Sequence, residues 1–213
     1  MKTKYYIIGS GGFAKEVYFL ANETLDETHE FLGFIDLKPL NNTIIVRGRE
    51  IRVVDEDYFI DNVPPSKDIN IYCGIGNPKL LEKLSKRFDN YIFPNLIHPN
   101  VIFDKISVEL GRGNILTAGC IFTVDIIIGS FNMFNLHTTI GHDVIIGDCN
   151  VLNPGTNISG CIQVGSRNLF GTNATVLQML VIENDNLIGA SSLLHKSIKS
   201  NSVMVGVPAK KIR

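Results

Sequence analysis

The chain has 213 residues, with 20 Lys plus Arg against 21 Asp plus Glu and a formal net charge of −1. A balance this even excludes a nucleic-acid binder that works by neutralising phosphates, and 45% hydrophobic against 19% charged residues excludes disorder as the main state. No apolar run approaches the roughly 20 residues that span a bilayer, the N-terminal MKTKYYIIGSGG lacks a signal-peptide pattern, and Cys73, Cys120, Cys149 and Cys161 form no CxxC pair, so reduced core cysteines in a cytoplasmic protein are expected, with no membrane insertion.

Residues 1–95 read as a small α/β unit. Tyr5 to Gly9 is an apolar run ending in Gly-Ser-Gly-Gly, and Phe13 to Ala21 follows with helical spacing, Val17, Leu20 and Ala21 on one side. Phe31 to Ile35 is a second strand ending at Asp36, and Ile69 to Cys73 a third ending in Gly74-Ile75-Gly76-Asn77. Pro78 to Phe88 is a helix with Pro78 at its start and Leu80, Leu81, Leu84 and Phe88 on one face; Tyr91 to Phe93 is a fourth strand. Strands alternating with helices imply a parallel sheet with right-handed crossovers. The stretch Pro94 to Asp104 reads as the join to a second unit.

The turn Gly9-Ser10-Gly11-Gly12-Phe13-Ala14 fits G-x-G-x-x-A between a strand and a helix. Glycines let the backbone approach a phosphate, and the helix N-terminus offers free N–H groups and the positive end of its dipole. Ser10, Gly11, Gly12 and Phe13 are therefore candidate substrate contacts. Asp36, at the end of the next strand, can accept hydrogen bonds from sugar hydroxyls. A dinucleotide domain needs two mononucleotide halves, and roughly 95 residues hold about one; a single nucleotide with a diphosphate, such as a nucleotide sugar, fits better. The bland alternative is a tight turn that binds nothing.

From Leu110 an apolar residue returns every six positions through Leu194, fifteen times without a slip. A period of six suits neither a helix nor simple strand alternation. It suits a prism-shaped parallel β-helix of hexapeptide repeats over residues 96–213, with an 18-residue coil made of three faces. Gly111, Gly129, Gly147 and Gly165 lie 18 apart, and Asn135, Asn153 and Gly171 form a similar row; both rows are expected at positive-φ corners. Small or polar residues two places before the apolar slot, Asn114, Cys120, Asn132, Thr138, Asn150, Thr156, Asn168, Ala174 and Asn186, are expected to stack along the axis.

His137 and His142 lie in NLHTTIGHDVIIGD. An imidazole next to a carboxylate is a plausible general base, the carboxylate holding the tautomer, so His142 and Asp143 are candidate catalytic residues. A competing reading makes His137 and His142 zinc ligands, for which His98 is the available third histidine. A non-catalytic scaffold that binds a nucleotide is the third class. His29 reads as solvated, His195 as a turn residue, and Lys210, Lys211 and Arg213 as a basic end.

GSGGFAKEV after the first strand, GFID at the second, GIGN at the third, IGHDVIIGD in the β-helix and the terminal GVPAKKIR together resemble one family across the whole chain. The chain is similar to the sugar acyltransferases that include the bacillosamine-pathway and perosamine N-acetyltransferases and the sialic acid O-acetyltransferases. The resemblance implies a Rossmann-like half domain followed by a left-handed parallel β-helix. It implies a homotrimer, acetyl-CoA as co-substrate with no required metal, and a nucleotide-linked amino sugar of the UDP-4-amino type for surface polysaccharide biosynthesis. His142 falls on the family's base and Asp143 on the acid beside it. Gly11, Gly12 and Phe13 fall on the loop meeting diphosphate and sugar; Asp36 and Leu37 on the nucleotide-contacting pair; Gly76 in the third turn. Gly160, Thr172 and Ala190 fall near backbone contacts to acetyl-CoA. Phe13 and Val151 stand where the bacillosamine-type enzymes carry histidines, and Leu37 where a second acid often follows. These departures leave sugar O-acetylation as the alternative activity.

Overall fold

The structure is a computed structural model that describes residues 2–213. The N-terminal region opens with β1 (Thr3–Ile8), whose last four residues are buried, and passes into α1 (Gly12–Thr24). Helix α1 buries Ala14, Val17, Leu20 and Ala21, the stripe set by its three- and four-residue spacing. β2 (His29–Asp36) lies parallel to β1. β3 (Thr43–Val46) and β4 (Arg49–Asp55) then form an antiparallel hairpin, and β4 returns parallel to β2. α2 (Glu56–Asn62) is capped by Asp55, whose Oδ1 accepts from the backbone N–H groups of Asp57 at 3.0 Å and Tyr58 at 3.1 Å. β5 (Ile69–Cys73) leads to α3 (Pro78–Arg87), capped by Asn77. The sheet order is β3-β4-β2-β1-β5.

Three expectations change here. Sequence reading passed over the hairpin and α2, so one edge of the sheet is antiparallel. Tyr91 to Phe93 forms no strand; Ile92 makes a single parallel bridge to Asn70. Leu80, expected on the buried face of α3, is 38% exposed, while Leu81, Leu84 and Phe88 are buried.

From Leu96 the chain winds as a left-handed parallel β-helix. Its three sheets are made of short strands that pair with the strand one coil on, as Ile121–Phe122 pairs with Thr139–Ile140 and that with Asn157–Ile158. The expected join already carries two coil strands, Leu96–Ile97 and Ile102–Phe103. Fourteen of the fifteen positions of the six-residue series are fully buried, and Leu110 at the open end is partly so.

The corners differ from expectation. From Gly113 to Ser191 every sixth residue has positive φ, and most are not glycine: Asp125, Phe131, His137, Asp143, Cys149, Cys161, Arg167 and Asp185 among them. Gly111, Gly129, Gly147 and Gly165 are not at these corners, nor are Asn135, Asn153 and Gly171. The glycine row meets a different demand. A Cβ on Gly129 would sit 2.9 Å from the backbone of Gly147, and one on Gly147 2.9 Å from that of Gly165, so successive coils touch there with no room for a side chain.

The small-polar row behaves as expected. The side-chain oxygen of Asn114 accepts from the N–H of Asn132 at 2.8 Å, Asn132 from Asn150 at 2.9 Å, Asn150 from Asn168 at 2.8 Å, Asn168 from Asn186 at 2.9 Å, and Asn186 from Ser202 at 2.8 Å. These amides are buried and satisfied by stacking.

The N-terminal sheet packs on the first face of the β-helix. Outward-facing Ile115, Met133 and Val151 there are completely buried in one core with Tyr5, Phe34, Phe88 and Phe93. Arg167 adds a polar tie: it forks onto Asp185 at 2.8 and 2.9 Å and reaches Glu82 of α3 at 3.4 Å. Among the described residues no helix is long and apolar enough to cross a membrane.

Candidate active site

His142 and Asp143 sit where the coil turns from its second face to its third, between the strands Thr139–Ile140 and Ile145–Ile146. Asp143 is the positive-φ corner, φ 55°. Its Oδ2 lies 2.7 Å from Nδ1 of His142, and both side chains are more than half exposed. With the proton on Nδ1 shared with Asp143, Nε2 carries the lone pair and faces outward chemistry.

Gly160, one coil on, forms the floor beneath this ring. A Cβ there would stand 2.6 Å from Nε2 of His142, so only glycine leaves the imidazole its position. The N–H of Ser159 is bonded to Val176 O at 3.1 Å and that of Cys161 to His142 O at 2.8 Å, while among the described residues the Gly160 N–H has no backbone acceptor. A lone-pair nitrogen, a carboxylate fixing its tautomer and a free backbone donor thus converge within two coils. Such a set can take a proton and stabilise an oxyanion.

Thr172 and Ala190, the other expected acetyl-CoA contacts, stack in one slot 18 residues apart, at the turn from the first face to the second. That is a different edge of the prism from His142 and Gly160, so one chain does not bring the two groups together. His137 occupies the same first-to-second edge as Thr172, across the second face from His142. Among the described residues His98, His137 and His142 do not gather into a ligand group; the group of three potential ligands is His142, Asp143 and Cys161. Cys161 is also exposed, against the expectation of a core cysteine, because it occupies a coil corner.

The N-terminal turn is open. Gly11 caps α1 with no side chain, and Gly11, Gly12 and Gly76 have nothing within 4 Å of where a Cβ would project. Gly9, φ 99°, is instead pressed against Gly74 O, which locks the first and third turns together. Ser10 donates to Asp36 Oδ2, while Oδ1 of Asp36 accepts from Leu37 N–H at 2.8 Å. Phe13 packs partly on the core and Leu37 is half exposed. Asp36, Leu37, Ile75 and Lys83 line one small hollow beside buried Glu56, which is paired with Arg87. Burial pushes the Glu56 carboxyl above its ordinary range, and Arg87 pulls it partly back. Sequence reading missed Glu56 and Lys83 because each is set by the unforeseen packing of α2 against α3.

Residues 4–88 match the family model of the PglD N-terminal domain. No curated protein is matched by sequence. Among solved structures, PerB from Caulobacter crescentus, in complex with CoA and GDP-perosamine, is 27% identical over 98% of this chain and 96% of that one, with a TM-score of 0.86. The build of the chain is that of the sugar acyltransferase family. WeeI from Acinetobacter baumannii is 28% identical over 99% of this chain and all of that one, TM-score 0.85. The acetyltransferase domain of PglB from Neisseria gonorrhoeae, at 22% identity and TM-score 0.88, shares the fold over 99% of the chain.

Proposed function

We propose that this sugar acyltransferase is an acetyl-CoA-dependent N-acetyltransferase acting on the amino group of a nucleotide-linked amino sugar, with a UDP-4-amino sugar as first candidate. The observation that carries the reading is the His142–Asp143 pair standing over Gly160. The likeness to PerB, which binds CoA and GDP-perosamine, supports the substrate class and makes GDP-linked amino sugars the second arm of the test.

The sugar amine attacks the thioester carbonyl carbon, and a C–N bond forms. His142 Nε2 takes the amine proton, Asp143 holds the imidazolium, and the Gly160 N–H donates to the oxyanion. Collapse breaks the C–S bond, and the proton leaves with CoA as its thiol. Proton transfer of this kind contributes on the order of 10²–10⁴-fold, and holding both substrates together adds a comparable or larger factor. In this reading the diphosphate lies at Gly11 and Gly12 against the uncapped start of α1, and Asp36, Leu37 and Gly76 border the nucleotide.

A homotrimer completes the proposed site. Thr172 and Ala190 lie on a different edge from His142, so acetyl-CoA that touches both edges needs a second copy. Ile127, Ile145 and Val181, in register on the third face, are exposed apolar residues next to the His142 edge and would be covered by that copy.

Thiol release from acetyl-CoA with UDP- and GDP-linked 4-amino and 3-amino sugars, and with sialic acid alongside, tests this. CoA release with one amino sugar, lost in His142→Ala while the oligomer and acetyl-CoA binding persist, is the expected result. An active His142→Ala enzyme overturns the base, and release only with a hydroxyl acceptor replaces N- by O-acetylation.

A further inference from the structure

Cys161 has no part in the reaction just derived, yet the fold sets it beside the base. It occupies the same positive-φ corner as Asp143, one coil on, with φ 57° against 55°. Its N–H is bonded to the His142 carbonyl at 2.8 Å. The ring of His142 is seated on Gly160 and held by Asp143. One ligand atom from each of His142, Asp143 and Cys161 lies within 4.8 Å of the other two, and all three residues are exposed.

We propose that His142, Asp143 and Cys161 form a binding site for a thiophilic divalent cation of the Zn²⁺ type, and that an ion held there switches acetyl transfer off. Bonds of about 2.0–2.3 Å to N, O and S place tetrahedral ligands roughly 3.3–3.8 Å apart. The three side chains reach that spacing by rotamer adjustment alone, since their backbones are fixed by coil stacking. An imidazole, a carboxylate and a thiolate suit Zn²⁺ or Cd²⁺ and disfavour Mg²⁺ and Ca²⁺, which prefer all-oxygen sets. The exposed side of the cluster leaves room for solvent as fourth ligand. The other three thiols do not compete: Cys73, Cys120 and Cys149 are buried, and burial pushes each of them up.

The switch rests on the proposed role of His142; the binding site does not. A ligating imidazole is neutral. If Nε2 binds the ion, its lone pair is used; if Nδ1 binds, Nε2 carries the proton. Neither form accepts a proton from an amine. The reaction itself calls on no metal, so the cation is an inhibitor here.

The test has two readouts on the full chain. Cd²⁺ is titrated into metal-free protein and followed by thiolate-to-metal charge-transfer absorption. One equivalent per chain is expected, lost in Cys161→Ser with its melting temperature intact and weakened in Asp143→Asn. No absorption in the unsubstituted protein, or absorption unchanged in Cys161→Ser, overturns the site. Zn²⁺ is then added to the acetyl-transfer assay. Cys161→Ser is expected to keep zinc-free turnover and to need about tenfold or more Zn²⁺ for half-inhibition, the lower end of what loss of a supporting group costs a metal site. Equal inhibition of both proteins overturns the switch. Charge-transfer absorption in a protein that acetylates no acceptor leaves the cation site standing, and the switch falls with the acetyltransferase reading.

Discussion

Gly160 shows how much a single hydrogen can decide. Its Cα–H faces the nitrogen proposed to take the proton, and the methyl of alanine would stand 2.6 Å from that nitrogen. The ring must then turn off Asp143 or the coil must shift. Gly160→Ala is expected to lower kcat by on the order of 10²-fold, the cost of misplacing a reacting group by about 1 Å, with a melting temperature close to that of the unsubstituted protein. Steady-state kinetics beside a thermal melt check this; an undiminished kcat removes Gly160 from the site. His142 and Asp143 were legible as neighbours in sequence whose chemistry is familiar from their types. Gly160 was legible by resemblance only, and its packing role was not, because a distance of 18 residues becomes a contact only after the coil is drawn. Cys161 was misread for the same reason. Nothing in its neighbours Gly160 and Ile162 distinguishes an exposed corner thiol from a core one.

Among the elements, the coil was legible almost entirely, since one six-residue period set both the inward row and the stacked Asn row. What failed was the reason for the glycines. Their spacing was right, but they serve close coil contact, and the left-handed corners fall on Asp, Cys, Arg and His instead. The hairpin between β3 and β4 escaped because its turn is Arg47-Gly48, with φ 51° and 73°, and only one of those two positions carries a residue that favours such angles. The Asn ladder yields a prediction at this scale. Asn150 accepts from Asn168 N–H, and its amide donates to Asn132 Oδ1 and Gly165 O. Asn150→Ala strands buried polar groups on both neighbours and is expected to cost about 2–4 kcal/mol, more than one unmade bond. Denaturant unfolding measures it; a loss below about 0.5 kcal/mol, the low end for one net hydrogen bond, would show that the ladder carries no stability.

At the scale of the whole molecule, the N-terminal sheet is fastened to the coil by one apolar core and by the Arg167 fork. Hydrogen bonding to Arg167 holds the Asp185 carboxyl below the usual Asp range. A carboxyl with a lowered folded pKa adds stability above its unfolded value, and that stability is lost as pH falls through the folded one. Asp185→Asn is therefore expected to melt below the unsubstituted protein at neutral pH, by on the order of 1 kcal/mol. The two should converge as pH drops below about 3.9, the ordinary Asp value. Melts that stay equally far apart in acid would assign the loss to packing.

The stack of equal coils has a consequence for length. Each turn uses 18 residues, and every later residue's face depends on the count before it. An insertion of one residue inside a strand turns all downstream inward positions outward, whereas a whole added coil after Ile182 leaves every upstream contact as it was. The molecule can therefore grow or shrink only in whole coils, like a staircase that admits complete steps. A lengthened chain should carry its His142 edge unchanged at a fixed height from the N-terminal sheet, with the new material displacing only the C-terminal end.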